Sequence, residues 1–190
     1  MTADELKQKA LMIFSRHGYE GASLSLIADE AGIKKQSIYS HFKSKDELFL
    51  KAAEEVFQNE LNRALSNIKH GSESNLKETL YQFLADYMEK YEQNPETRFW
   101  LRISFFPPGH LYDSVMVQVY RHLDTLEEAL TALFAQAEIR ANPEQAAIAF
   151  LGVLDSVFVE MLYGGKERQI KRLDAAWNIF WNGIALEGLK

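Results

Sequence analysis

The chain has 190 residues, 47% of them hydrophobic, and a formal net charge of −6. The absence of cysteine excludes disulfide bonds, thiolate nucleophiles and cysteine zinc sites, and it fits a reducing cytoplasm. The longest apolar run, residues 146–154, is half the length that a membrane span needs, and the polar, acidic N-terminus is unlike a signal peptide. We therefore expect a cytoplasmic location and no membrane partner.

The positive charge is concentrated in one short stretch. Residues 1–50 hold seven Lys or Arg and seven Asp or Glu, so the remainder of the chain carries the whole negative charge. Within this part, residues 33–45 contain no acidic side chain and four lysines, at positions 34, 35, 43 and 45. A basic stretch on an otherwise acidic protein indicates local contact with a polyanion.

Apolar residues at helical spacing predict three helices in the N-terminal quarter of the chain. The first covers residues 4–17 and ends at Gly18, because a left-handed residue is favourable there. The second starts at Ser23 as its N-cap and ends at Gly32. The third covers about residues 35–41. Two short helices joined by a glycine turn are typical of a helix-turn-helix.

Cap residues mark the starts of the later helices. Ser44 and Glu47 form a capping box at the start of the fourth helix. Asn94-Pro95 starts the sixth, which ends before Pro107, and Asn142-Pro143 starts the eighth. Residues 146–162 are apolar nearly all round, and such a helix is expected to be buried on both sides.

No alternating strand pattern is found, so the fold class is all-α, with about nine helices. We expect a helix-turn-helix domain at residues 1–47 and a larger helical domain at residues 48–190.

A set of residues at fixed spacing carries a resemblance to a known family. They are Phe14, Gly18-Tyr19, Ser23, Ile27-Ala28, Ala31-Gly32-Ile33, Ser37-Ile38-Tyr39, His41-Phe42-Lys43-Ser44-Lys45 and Glu47-Leu48. With this pattern the first 50 residues resemble the DNA-binding domain of the TetR/AcrR family of transcriptional regulators. The resemblance implies a dimer that binds a palindromic operator and a C-terminal domain for effector binding and dimerisation. It also implies repression that a ligand relieves, although activation is an open alternative.

Residues 34–45 are expected to lie in a major groove of double-stranded DNA. There Lys35 could donate to guanine and Gln36 could bond adenine. Tyr39 resembles the family tyrosine that bonds phosphate, and Lys45 adds its charge to a helix N-terminus, which favours anions. The candidate DNA-binding residues are Ser25, Lys34, Lys35, Gln36, Ser37, Tyr39, Ser40, His41 and Lys45. The alternative is a solvated basic face, with His41 packed under the turn.

Lys34 departs from the family pattern, which often has serine at this cap position. Lysine cannot accept a hydrogen bond from the first-turn N–H groups, so about 1 kcal/mol of capping is lost. Its charge is also unfavourable at a helix N-terminus, and a bound phosphate would offset both effects.

The last two helices are expected to form a homodimer, as the resemblance implies. Large aromatic residues are favoured in the core of such interfaces. The candidate interface residues are Leu154, Phe158, Trp177, Phe180 and Trp181. The alternative is that the tryptophans fill the core of a single chain.

Aromatic residues crowd the middle helices and suggest a pocket for a small, largely apolar or aromatic effector. The candidate effector-binding residues are Phe83, Tyr87, Phe99, Trp100, Phe105, Tyr112, Met116 and Tyr120. The alternative, for each of these residues, is that its side chain packs in the hydrophobic core and contacts no effector. The break at Pro107-Pro108-Gly109 puts an irregular corner beside these helices, where Arg98, Arg102 and His110 could hold an anionic head group.

Other classes of protein find little support in the sequence. The five histidines lack metal-ligand spacing, and no phosphate loop or nucleophile motif is present, so we expect neither an enzyme nor a cofactor or metal. The remaining alternative is an all-α ligand-binding or scaffold module with a vestigial helix-turn-helix. A vestigial DNA-binding helix would not need four lysines around it.

Overall fold

The computed structural model describes residues 1–71 and 75–186, and within these ranges the chain forms nine α-helices and no strand. In chain order they are α1 (Ala3–Gly21), α2 (Leu24–Ala31), α3 (Lys35–Ile38), α4 (Lys45–Gly71), α5 (Leu76–Gln93), α6 (Pro95–Phe105), α7 (Tyr112–Ala135), α8 (Pro143–Tyr163) and α9 (Lys166–Ile184). A 3-10 turn, Gly109–Leu111, precedes α7. The prediction of an all-α fold with about nine helices is confirmed.

The chain divides into two compact units. The first comprises Met1–Glu60 and Gln93–Tyr120, and the second comprises Leu61–Glu92 and Arg121–Lys190. Both α4 and α7 therefore contribute residues to each unit. The division after residue 47 that the sequence suggests stays a prediction.

Three phenylalanines form the centre of the first unit. Phe14 of α1, Phe49 of α4 and Phe99 of α6 are almost completely buried, and their ring centroids lie 5.1 to 6.1 Å apart. Burying one such side chain stabilises a fold by about 1.5–3 kcal/mol. The same three rings therefore join the N-terminal helices to α6.

Gly18 interrupts α1 at the residue where the sequence predicts its end. Its φ of 68° and ψ of −178° are not helical, and one further turn follows up to Gly21. A Cβ at position 18 would also stand 3.2 Å from the Arg102 guanidinium. Glycine is needed here both for the backbone angle and for the close approach of this side chain.

The second unit has an aromatic core between α5, α8 and α9. Phe83 and Tyr87 of α5 contact Phe150 and Phe158 of α8, with centroid distances of 5.8 and 5.1 Å for the two pairs. Phe180 of α9 lies 5.6 Å from Phe150. These contacts bury one side of α8 along its length.

The opposite side of α8 is exposed in this chain. By length and composition α8 could cross a membrane, with a mean hydropathy of 1.8 over an 18-residue window. Nine of its described residues are buried within the second unit. The expectation that α8 is covered on both sides is met on one side only within a single chain.

A buried carboxylate ties α8 to α9. Glu160 accepts hydrogen bonds from Arg168 Nε at 2.8 Å, from Arg168 Nη2 at 3.1 Å and from Arg172 Nη2 at 2.6 Å. The two guanidinium groups lower the pKa of the Glu160 carboxyl to about 2. Charge-assisted bonds of this kind are stronger than neutral ones.

Acid is expected to weaken the second unit through Glu160. Because its pKa is lower in the folded chain, its contribution is present above the ordinary value of 4.5 and is lost as the pH falls from 4.5 towards 2. Unfolding by urea at pH 7, 5 and 3 measures this loss. We expect Glu160→Gln to show a smaller drop than the wild type. The exposed Glu167→Gln serves as the control, and equal drops in all three proteins would contradict the assignment.

Candidate nucleic-acid interface

Local hydrogen bonds fix the turn between α2 and α3. The Ser23 hydroxyl accepts from the Leu26 N–H at 3.1 Å, so the predicted N-cap is confirmed. Gly32 adopts the left-handed conformation, and its N–H and that of Ile33 donate to the carbonyls of Asp29 and Ala28. This pattern is a Schellman motif, which ends α2 and turns the chain into α3.

The third helix is one turn long. It covers Lys35–Ile38, with Lys34 as an N-cap that makes no side-chain hydrogen bond, and a tight turn follows instead of the predicted continuation to His41. Ile38 and Phe42 are buried and anchor this segment. The polar side chains around these anchors consequently face outward.

All but one of the candidate DNA-binding residues are exposed. Tyr39 has 52% of its surface in solvent. The exposed candidates are Ser25, Lys34, Lys35, Gln36, Ser37, Tyr39, Ser40 and His41, and Lys43 is exposed beside them. The Ser40 hydroxyl donates to the Ser37 carbonyl at 2.7 Å, so its oxygen remains able to accept. The candidates from Lys34 to His41 thus form one continuous exposed segment, Ser25 is exposed on α2, and their contacts with DNA stay a prediction.

Lys45 is the exception, because its ammonium group has partners in its own chain. The Nζ atom donates to the Tyr19 carbonyl at 2.9 Å and to the Ala22 carbonyl at 3.0 Å, and it lies 3.8 Å from the centre of the Tyr19 ring. An ammonium has three hydrogens, so one is left for a phosphate oxygen. Lys45 therefore holds the end of α1 against the start of α4.

The start of α4 is capped as the sequence indicates, with one difference. The Ser44 hydroxyl accepts from the Glu47 N–H at 3.1 Å. The Glu47 carboxylate accepts from the Lys43 N–H at 2.5 Å, one residue before its expected partner. This hydrogen bond holds the backbone at Lys43, where the exposed segment leads into α4.

A cluster that the sequence did not suggest lies behind this surface. The Tyr19 hydroxyl donates to Asp46 Oδ1. His110 Nε2 lies 3.2 Å from the Tyr19 hydroxyl oxygen and 3.5 Å from Asp46 Oδ2. The pKa of the Asp46 carboxyl is lowered, mainly by the hydrogen bond from the Tyr19 hydroxyl and further by His110. The pKa of the Tyr19 hydroxyl is raised by its burial and by the neighbouring Asp46 carboxylate. This cluster links α1, α4 and the corner before α7.

Tyr19→Phe is expected to destabilise the protein by about 1–2 kcal/mol, because it removes a hydrogen bond to a partly exposed carboxylate and keeps the ring. Denaturant unfolding measures the change. Tyr112→Phe, which alters an exposed tyrosine in the same unit, is expected to leave stability unchanged. A Tyr19→Phe variant as stable as wild type would show that the cluster does not hold these elements together.

The eight candidate effector residues are split between the two units. In the first unit, Phe99 and Trp100 are buried and Met116 is half-buried. The other three candidates there are exposed: Phe105, Tyr112 and Tyr120. In the second unit, Phe83 and Tyr87 are buried in the aromatic core. Burial of these four is compatible with the alternative that they are core residues, and contact of any of the eight with an effector stays a prediction. Of the predicted cationic group, His110 lies near a carboxylate and Arg102 lies beside Gly18.

A recess in the first unit lies between α4 and α7. Its volume is about 460 Å³. The lining side chains are Glu47, Leu50, Lys51, Ala53, Glu54, Ser114, Val115 and Gln118. The sequence gives no indication of this recess, because none of its lining residues is aromatic.

The five candidate dimer residues are buried within their own chain. Leu154 and Phe158 of α8 and Trp177, Phe180 and Trp181 of α9 each have at most 7% of their surface exposed. Trp177 contacts Tyr81 of α5, with ring centroids 5.6 Å apart. A dimer surface on α8 and α9 has to use their other faces.

Metal ligation has no support in the described ranges. Within residues 1–71 and 75–186, no group of three His, Asp or Glu side chains is arranged to hold an ion.

Comparison with known proteins bears on the same segment. Residues 8–52, which contain α2, α3 and the start of α4, match the model of the family described as bacterial regulatory proteins, tetR family. Residues 8–52 form a DNA-binding domain of this family. The exposed α3 surface therefore lies in the helix-turn-helix of a TetR-family DNA-binding domain.

Relatives of the whole chain agree with this assignment. The chain is 25% identical over 168 residues to the negative transcriptional regulator IcaR of the biofilm operon icaADBC from Staphylococcus aureus strain Newman, covering 86% of each chain. Two solved structures of regulators are similar to this chain in fold. SmeT, the repressor of a Stenotrophomonas maltophilia multidrug efflux pump, matches with a TM-score of 0.71 at 19% sequence identity. The match covers 100% of this chain and 93% of the SmeT chain. FadR of Bacillus subtilis, solved with stearoyl-CoA, has a TM-score of 0.69 at 16% identity, with coverage of 96% and 99%.

Proposed function

We propose that this protein is a TetR-family transcriptional regulator and a cytoplasmic repressor. It binds a palindromic operator in double-stranded DNA as a homodimer, and a small, largely apolar or aromatic effector releases it. It is a regulator and not an enzyme.

The exposed surface of residues 34–45 carries the proposal. Lys34, Lys35 and Lys43 are exposed in a segment without an acidic residue. The Tyr39 ring is half exposed, while Ile38 and Phe42 are buried and anchor the backbone. A major groove admits a short helix, where Lys35 would donate to guanine and Gln36 would bond adenine. Ser25, on α2, would contact the DNA backbone.

Repression is favoured over activation by the relatives. IcaR is named a negative regulator and SmeT a repressor. A single α3 offers few contacts to bases, so a two-fold dimer that binds two half-sites is the arrangement that supplies affinity.

Packing in the first unit suggests how an effector acts. Phe99 of α6 contacts both Phe14 of α1 and Phe49 of α4, so a displacement of α6 is transmitted to the N-terminal helices. Such a displacement is a population shift, and the effector must bind one state better than the other. The recess between α4 and α7 is a second place where a ligand would act on α4 directly.

Selection of bound DNA from a random pool tests the proposal. A palindromic consensus is the expected result, and it would establish both DNA recognition and two-fold symmetry. Failure to enrich any sequence at low salt would favour the alternative of a ligand-binding or scaffold module with a vestigial helix-turn-helix.

Titration of the protein–operator complex with candidate effectors then tests release. One probe is a long-chain acyl-CoA, chosen because FadR was solved with stearoyl-CoA. The other probe is a cationic aromatic dye. A probe that binds the protein without changing operator affinity is excluded as the effector.

A further inference from the structure

Three cationic side chains share one face of α9 in the second unit. Arg168, Lys171, Arg172 and Ala175 follow one another at spacings of three, one and three, so they lie on the same side of the helix. All four are exposed. Together with Glu160 of α8 they line a recess of about 320 Å³, a volume within the range of sites for small ligands. The recess therefore has both the size and the charge to hold a small anion.

A single carboxylate faces these three cations. Glu160 is 4% exposed and accepts hydrogen bonds from both arginines, Arg168 and Arg172. Three positive charges against one negative charge leave two positive charges without a counter-charge in the lining of the recess. The whole chain has a net charge of −6, so this positive surplus is local. A cationic recess on an acidic protein attracts an anion with more than one charge.

Lys171 is the cation that its own chain does not use. In residues 1–71 and 75–186 its ammonium group forms neither a hydrogen bond nor an ion pair, and the neighbouring acids on α9, Glu167 and Asp174, form no ion pair with it. Arg168, three residues earlier on the same face, carries the same charge and repels it. An anion bound in the recess would turn this repulsion into shared attraction.

The Glu160 carboxylate fixes the orientation of the two guanidinium groups. Arg168 uses two of its five N–H groups for this carboxylate and Arg172 uses one, so most of the donors remain for a ligand. Gly164 makes room for the pair, because a Cβ there would collide with Glu160 Oε2 and would stand 3.1 Å from Arg168 Nε. A guanidinium held in one orientation is suited to phosphate oxygens, which it binds in pairs.

We propose that this recess binds a diphosphate group, either free pyrophosphate or the diphosphate of a nucleotide. Arg168 and Arg172 donate to its oxygens from fixed directions, and Lys171 adds a third charge on a flexible side chain. Glu160 does not contact the anion and acts by positioning the two arginines. The site lies wholly within the second unit, so the inference goes beyond operator binding and does not depend on it.

Isothermal titration calorimetry of the full chain with inorganic pyrophosphate tests the site, at low salt because ions screen exposed charges. Saturable binding is expected. Lys171→Glu is expected to weaken it about tenfold or more, because a repulsive charge replaces an attractive one while both arginines keep Glu160. Lys166→Glu is the matched control on the same helix. Lys166 pairs with Glu92 of α5 and does not line the recess, so this variant should lose much less affinity.

Gly164→Ala tests the orientation of the arginines without changing any charge. The added Cβ has to displace the end of the Glu160 side chain, while the backbone at Gly164 is in the right-handed helical region that alanine adopts freely. Pyrophosphate affinity is expected to fall about threefold or more as Arg168 loses its fixed direction. Gly109→Ala, at an open glycine of the first unit, should bind like the wild type. Circular dichroism checks the folding of every variant.

The outcomes distinguish a diphosphate site from general attraction of anions. Saturable binding that Lys171→Glu and Gly164→Ala weaken and the two controls retain supports the inference. A parallel titration with ADP identifies the source, because ADP binding assigns the site to nucleotides and its absence restricts the site to free pyrophosphate. Absence of saturable binding by either probe overturns the inference, as does equal binding by Lys171→Glu and the wild type. A loss in Lys171→Glu without a loss in Gly164→Ala shows attraction by charge alone and also overturns it.

Discussion

Phe99→Ala is expected to lower the free energy of unfolding by about 3–5 kcal/mol, the usual cost of truncating a fully buried phenylalanine. The side chain is 1% exposed and contacts both Phe14 and Phe49. The cavity would therefore open between α1, α4 and α6. Denaturant unfolding measures the loss, and DNA binding should fail under conditions in which the first unit is no longer folded.

Phe105→Ala provides a matched control from the same helix. This side chain is 38% exposed, so the same truncation there should cost much less. Similar losses for the two variants would show that α6 is not held in place by the three-ring cluster, and the proposed route from α6 to the N-terminal helices would lose its basis.

Lys35→Ala is expected to weaken operator binding by about 2–6 kcal/mol for a dimer, which is about 30-fold or more in Kd. Each half-site loses a contact to guanine, and the loss counts twice. The side chain is exposed and no cap or core contact depends on it, so the fold should be unchanged. Fluorescence anisotropy with operator DNA and with an operator changed at the guanine measures the effect.

Salt dependence distinguishes a base contact from a phosphate contact. A base contact predicts that Lys35→Ala no longer discriminates between the two DNAs, whereas a phosphate contact predicts equal weakening and a smaller salt slope. Lys90→Ala, in the last turn of α5, carries the same charge change as a control. Binding equal to wild type would contradict the assignment of α3 to the groove.

Local features of the fold were predictable because they depend on neighbouring residues. Ser23, Asn94 and Asn142 each cap a helix at the predicted residue, since the accepting oxygen and the donating N–H are two or three residues apart. The outward position of residues around Ile38 followed from the same short-range pattern. The family was evident from such spacing as well.

Long-range features were not predictable from the same patterns. Tyr19 and His110 are 91 residues apart, and nothing in either neighbourhood indicates that they meet. The position of Trp177 is ambiguous from the sequence, because aromatic residues are common both at interfaces and in cores, and periodicity does not tell which neighbour covers a helix face. The recess between α4 and α7 depends on the packing of two helices and has no motif.

The brevity of α3 limits how much of an operator this protein can distinguish. Four helical residues advance about 6 Å, which is the length of about two base pairs. Most of the selectivity would then have to come from the distance between half-sites and from the bending properties of the intervening duplex. Such a regulator would tolerate base changes outside the few base pairs that α3 contacts in each half-site. It would be sensitive to the insertion of a single base pair between the two half-sites.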